Sequence, residues 1–169
     1  ADNPGRLNLY EWNGRLVLID FAHNEAGLAG LLDVSRSLAS ARGRRVRGKV
    51  RLGVGTAGDR TDEILHNLGV LAAGADDVVI TEKHHYLRGR DLEGMNAILR
   101  GGIAEGGYAG EVAALETELG ALQALLARSR RGDVVAVMSH GERAEIFAWL
   151  ETEGYRPVGI KRLRELVGA

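Results

Sequence analysis

The chain has 169 residues, 45% hydrophobic and 27% charged, with a formal net charge of −1: an ordinary globular composition, large enough to bury a core. No basic excess or block of like charge argues for nucleic acid, and no apolar run is long enough to span a bilayer. The absence of cysteine excludes disulfides, thiol nucleophiles and cysteine-ligated metal, and it fits a cytoplasmic protein.

Residues 1–5 read as a linker, because Asp2-Asn3-Pro4-Gly5 is a turn composition. Leu7 to Trp12 and Arg15 to Asp20 then form two strands, joined by the hairpin signal Asn13-Gly14. The continuous run Leu16-Val17-Leu18-Ile19 suits a strand covered on both faces. A helix follows, with Leu28, Leu31, Leu32 and Leu38 on one side.

The alternation continues. Val46 to Val54 reads as a strand, and Thr61 to Ala73 as a helix with Ile64, Leu68 and Leu71 inward. Val78 to Ile80 is a short strand. Asp91 to Glu105 is a helix carrying Leu92, Met95, Leu99 and Ile103. Val112 to Leu115 is a weak strand, and Glu116 to Ser129 a helix through Leu119, Leu122 and Leu126. Val134 to Met138 is a strong strand, Arg143 to Glu153 a helix, and Tyr155 to Ile160 a final strand.

Strands alternating with helices predict one α/β domain of Rossmann-like, three-layer form. Its sheet should hold about six mostly parallel strands, with the antiparallel hairpin placing one strand at an edge. Ligands of such sheets bind beyond the carboxyl ends of the strands. The segments there are 20–24, 55–60, 81–85 and 139–142, and all four concentrate polar and ionisable side chains.

Gly53, Gly55 and Gly58 match G-x-G-x-x-G, the basis of a rival reading as a nucleotide- or dinucleotide-binding regulatory module. Against it, Asp59, Asp62 and Glu63 would repel a pyrophosphate at the helix start. Asp59 also stands where a triphosphate loop requires lysine. His84 and His85 would point oppositely on an extended segment, poor geometry for one metal, and His66, within a helix, reads as a surface or satisfied residue. Ser139-His140 lacks the G-x-S-x-G elbow of a hydrolase. Trp12 and Trp149 read as packing residues. A second rival is a stand-alone interaction domain with a decayed site.

The motifs in their order are more specific than any one alone. Pro4-Gly5-Arg6-Leu7-Asn8-Leu9 is followed by Asp20-Phe21-Ala22-His23-Asn24, then Ala57-Gly58-Asp59-Arg60. Thr81-Glu82 with Leu87-Arg88-Gly89-Arg90 comes next, and last Gly132-Asp133, an apolar strand and His140-Gly141-Glu142. This set resembles the C-terminal domain of the Mur ligases, with wording similar to the cyanophycin synthetases within them, and it covers nearly the whole chain. Glu25 stands in place of the usual proline, His84-His85-Tyr86 in place of a more acidic run, and Met138-Ser139 where the fourth motif carries lysine.

The resemblance implies one domain of an ATP-dependent amide-forming ligase working through an acyl phosphate, excised from a longer chain. It implies that Arg6, Asp20, His23 and Asn24 face the nucleotide, and that Arg60, Arg88 and Glu142 orient the incoming amino acid. ATP and Mg2+ would be held mainly by a preceding central domain, and the partners would be that domain and an amino-acid substrate. No catalytic residue and no metal ligand is assigned to this domain alone.

Overall fold

The computed structural model describes residues 7–40 and 47–168. Arg6, the linker and Val46 lie outside the described residues.

β1 (Asn8–Trp12) and β2 (Arg15–Asp20) form the expected antiparallel hairpin. Its turn residues Asn13 and Gly14 both have positive φ, 47° and 71°, as a type I′ turn requires. There follow α1 (Glu25–Ala39), β3 (Val50–Val54), α2 (Asp62–Ala72) and β4 (Asp77–Thr81). After a 3-10 turn, His84–Tyr86, come α3 (Leu92–Glu105), β5 (Ala114–Leu115), α4 (Glu118–Ala127) and β6 (Val134–Met138). The chain ends with α5 (Arg143–Thr152), β7 (Arg156–Pro157) and α6 (Ile160–Val167).

The strands form one seven-stranded sheet in the order β5-β4-β3-β6-β2-β1-β7. From β5 through β2 every pairing is parallel. β1 is not the edge strand, because β7 pairs with its outer side. Alternation along each strand divides the core into the two halves of a three-layer fold. Leu16, Leu18, Ala136, Met138, Val78 and Ile80 face α1, α2 and α3. Val17, Ile19, Val135, Val137 and Val79 face α4 and α5.

Four helices begin on side-chain caps. Asn24, Thr61, Asp91 and Thr117 accept from the N–H groups of Gly27, Ile64, Gly94 and Gly120. Several elements differ from expectation. The third strand begins only at Val50, where Val134 N–H donates to Lys49 O and Asp76 closes the turn below. The last strand keeps only two residues, because Gly159 and Ile160 turn the chain into α6, whose Leu166 completes the first core half. The fully buried face of α2 is Leu65, Leu68, Gly69 and Ala72, with Ile64 and Leu71 at its margins. In α4 the buried line is Ala121, Leu122 and Leu125, with Leu119 and Leu126 at its margins. Trp12 is 49% exposed, whereas Trp149 lies against the second core half.

Candidate functional site

The parallel strands β2, β6, β3 and β4 end on one rim. The loops beyond them are tied to one another by hydrogen bonds. Ser139 N–H donates to Asp20 O at 2.9 Å, and Thr56 Oγ1 donates to His23 O at 3.5 Å. His140 Nε2 lies 2.7 Å from Ala22 O. A carbonyl only accepts, so Nε2 carries the proton and Nδ1 keeps its lone pair. That Nδ1 is buried without a partner among the described residues. Burial first, then the Lys83 charge, hold the His140 ring down at about 4, so it is neutral at physiological pH. Phe21 stands between the two imidazoles, its ring centroid 5.6 Å from that of His23 and 5.1 Å from that of His140. Arg143 lies over the Phe21 ring at 5.3 Å.

Of the residues expected at the nucleotide, Asp20, His23 and Asn24 occupy the β2 end of this rim. Asp20 Oδ2 accepts the Leu7 N–H at 2.6 Å, which ties the segment entering β1 to the strand end. Leu7 holds a φ of 47°, unusual for a residue with a side chain. His23 Nδ1 lies 3.1 Å from Phe21 O, and Asn24 Oδ1 is spent on capping α1.

Beside them lies a cavity of about 490 Å³ between the β4 end, the start of α4 and the loop after β6. Its carboxylates are Glu82, Glu116, Glu118, Glu142 and Glu145, and its only lysine is Lys83. Five negative charges against one positive leave a net of four when the lining histidines are neutral. His84 and His85 share the rim with Tyr86. They sit on a 3-10 turn rather than an extended segment, and Glu82 Oε2 lies 2.9 Å from His84 Nε2. Among the described residues no three His, Asp or Glu side chains converge on a metal position.

The floor of the cavity is a buried ion pair. Lys83 and Glu118 are each 3% exposed, and Lys83 Nζ donates to Glu118 Oε1 and, at 2.9 Å, to Met138 O. Glu118 takes four more donors, all from the loop after β6. They are Ser139 Oγ at 2.6 Å and the N–H groups of His140 at 2.8 Å, Gly141 at 3.3 Å and Glu142 at 3.1 Å. Burial alone would raise the Glu118 carboxyl. The Lys83 charge outweighs it, with the hydrogen bonds of Lys83, Ser139 and His140, and the group is held at about 2.

Of the three residues expected to orient an amino acid, Glu142 lines this cavity. Arg60 and Arg88 do not line it; they lie on two adjoining loops at its flank. Gly58 N–H donates to Tyr86 O at 2.8 Å, and Arg90 Nη1 donates to Arg60 O at 3.0 Å. Arg60 Nε is buried without a hydrogen-bond partner among the described residues, 3.7 Å from Asp59. Arg88 is exposed with φ 53°.

These same contacts explain the glycine motif. A Cβ at Gly55 would sit 2.1 Å from Thr81 O, and one at Gly58 would sit 1.9 Å from Leu87 O. Glycine is needed there for close approach of two backbones, and the Gly58 N–H is engaged by Tyr86 O rather than offered to a phosphate. The Lys83–Glu118 pair was missed by sequence reasoning, because a glutamate in a first helical turn reads as an ordinary terminal acid.

Residues 5–141 match the family model described as Mur ligase, glutamate ligase domain. The chain belongs to the Mur ligase family. It is similar to the cyanophycin synthetase of Crocosphaera subtropica, 33% identical over 136 residues, 79% of this chain and 14% of that protein. It is also similar to the UDP-N-acetylmuramoyl-L-alanyl-D-glutamate–2,6-diaminopimelate ligase of Streptomyces avermitilis, 31% identical over 142 residues, 82% of this chain and 26% of that protein. This Mur ligase domain thus spans 14% and 26% of the length of these two curated relatives. A solved structure of a UDP-N-acetylmuramoyl-L-alanyl-D-glutamate–2,6-diaminopimelate ligase superposes with a TM-score of 0.68 at 20% identity, over 90% of this chain and 32% of that one. That agreement supports the three-layer Rossmann-like fold.

Proposed function

We propose that this domain is the amine-side part of an ATP-dependent carboxylate–amine ligase. It closes over ATP held mainly by a preceding central domain of the same chain, and it presents the incoming amino acid. The γ-phosphoryl of ATP passes to a carboxylate, the amine attacks the acyl phosphate, and phosphate leaves. Its likeness to ligases supports the reaction class, and the acidic cavity on the ligand-binding rim carries the reading.

The donor set here fits only part of the nucleotide. Asp20 Oδ1 accepts no bond from a described residue and stands at a strand end, where it suits a ribose hydroxyl. Nothing in the Gly53–Gly58 loop supplies a triphosphate lysine, so the phosphates and Mg2+ are assigned to the central domain. Mg2+ there would neutralise phosphate charge; this domain's part is to position the amine.

The charge of the cavity narrows the substrate. Carboxylates around an ammonium favour its protonated form, which is not nucleophilic. Four net negative charges therefore suit a second cationic group on the substrate better than the reacting amine itself. The incoming amino acid is accordingly one with a basic side chain, gripped through Glu142, with Arg60 or Arg88 meeting its carboxylate from the flank.

The test uses the protein with its full natural chain, following ADP release while amino acids are varied. Turnover with basic amino acids, and little with neutral or acidic ones, is expected. A preference for an acidic amino acid would remove the cationic assignment, and no amine-dependent ADP release at all would remove the ligase reading.

A further inference from the structure

We infer that the buried Lys83–Glu118 pair is the positioning element of the amine pocket, holding the loop after β6 so that the Glu142 carboxylate is presented to substrate; this rests on the ligase reading above.

Stability alone does not call for this pair. Taking two charges out of water is costly, and buried ion pairs can often be replaced by apolar side chains without loss of stability. What an apolar pair could not do here is satisfy the loop. Ser139 Oγ and the N–H groups of His140, Gly141 and Glu142 all turn inward onto Glu118, three of them from consecutive residues of the backbone. Without the carboxylate these donors would be buried and unpaired, and the loop would have to turn outward to satisfy them. Lys83 balances the charge and ties the arrangement to the end of β6 through Met138 O.

The loop so held ends in Glu142, the residue that faces the cavity. Its N–H is bound to Glu118 Oε2 at 3.1 Å, and its own Oε2 accepts the Leu119 N–H at 3.0 Å. Glu142 is thus fixed through both backbone and side chain to the first turn of α4. Its Oε1 accepts no bond from a described residue and is left for the cavity. Lys83 and Glu118 themselves are buried, so they act on substrate through Glu142 and the shape of the loop.

The experiment compares Lys83→Met, Glu118→Gln and the milder Ser139→Ala in the full natural chain. Two quantities are read: amino-acid and ATP kinetics, and hydrogen exchange of the His140 and Glu142 amides. A positioning role predicts that KM for a basic amino acid rises about tenfold or more in Lys83→Met and Glu118→Gln and about threefold in Ser139→Ala. KM for ATP should stay within about twofold, and the two amides should exchange at least about tenfold faster. Ser139→Ala removes one hydrogen bond, so it keeps the test decisive if the charge variants fail to fold. An active wild type whose folded variants keep the amino-acid KM and the amide protection overturns the positioning role alone. A wild type that releases no ADP with any basic amino acid overturns the ligase reading beneath it.

Discussion

Glu118 and Glu142 each serve the other's helix. The Glu142 N–H, at the start of α5, donates to Glu118 Oε2, and the Leu119 N–H, in the first turn of α4, donates to Glu142 Oε2. Each carboxylate sits where a helix N-terminus offers unpaired N–H groups and a favourable dipole. The exchange holds two helix starts together at the acidic cavity. It also separates two duties of Glu142. Glu142→Gln keeps an acceptor for Leu119 but loses the charge, so the melting temperature should hardly move. KM for a basic amino acid should rise at least about tenfold, about 1.4 kcal/mol. Glu142→Ala should lose the cap as well, costing about 1 kcal/mol, or about 2–4 °C in a domain of this size. Equal kinetics for wild type and Glu142→Gln would confine Glu142 to capping.

Acid should destabilise the domain in two stages. His140 titrates at about 4 in the fold instead of 6.5, so the unfolded chain takes up its proton first. Stability from this group is complete above pH 6.5 and declines as pH falls toward 4, at up to about 1.4 kcal/mol per pH unit. Glu118 is held at about 2 instead of 4.5. As a depressed carboxylate it contributes above pH 4.5, and that contribution is lost as pH falls toward 2. Asp133 adds in the same direction. Burial raises its carboxyl, but the Lys49 and Arg130 N–H groups and Arg51 together hold it below its usual value. Urea unfolding at a series of pH values checks this. His140→Gln should flatten the upper stage and leave the lower one; an unchanged slope between pH 6.5 and 4 in that variant would place its origin elsewhere.

Asp20 is expected to serve both fold and nucleotide, and one substitution pair separates the two. Asp20→Asn keeps an oxygen for the Leu7 N–H, whereas Asp20→Ala leaves that N–H and the left-handed Leu7 without their anchor. Both should raise KM for ATP in the full natural chain by about tenfold. Only the alanine variant should lower the melting temperature, by a few degrees, for about 1 kcal/mol. Unchanged ATP kinetics in folded Asp20→Asn would leave Asp20 as an anchor for Leu7 alone.

The glycine motif should answer to backbone packing. Gly58→Ala pushes a methyl group to within 1.9 Å of Leu87 O, and backbone on both sides must move. Thermal or urea unfolding should show a loss of about 3 kcal/mol or more, at or above the upper end of ordinary overpacking. Gly101→Ala, inside α3 with nothing within 4 Å of the new carbon, should instead be stabilising by up to about 1 kcal/mol through helix propensity. Similar effects at the two positions would count against the packing account.

What the sequence alone determined is whatever depends on neighbours along the chain. The continuous apolar runs at Leu16–Ile19 and Val134–Met138 mark central strands covered on both faces. Asn13-Gly14 announces the hairpin. The motif order placed the chain among the Mur ligases, and the strand ends pointed to the rim where the cavity lies. Tertiary structure alone decided how that rim is assembled. Lys83 and Glu118 are 35 positions apart, and each by itself resembles a surface charge. Only the convergence of β4, α4 and the loop after β6 buries them together and turns three consecutive N–H groups onto one carboxylate. The same convergence puts Glu142 in the cavity and leaves Arg60 and Arg88 on its flank. Periodicity reports which face of an element is apolar. Pairing of buried charge depends on distances between elements, which a local pattern does not contain.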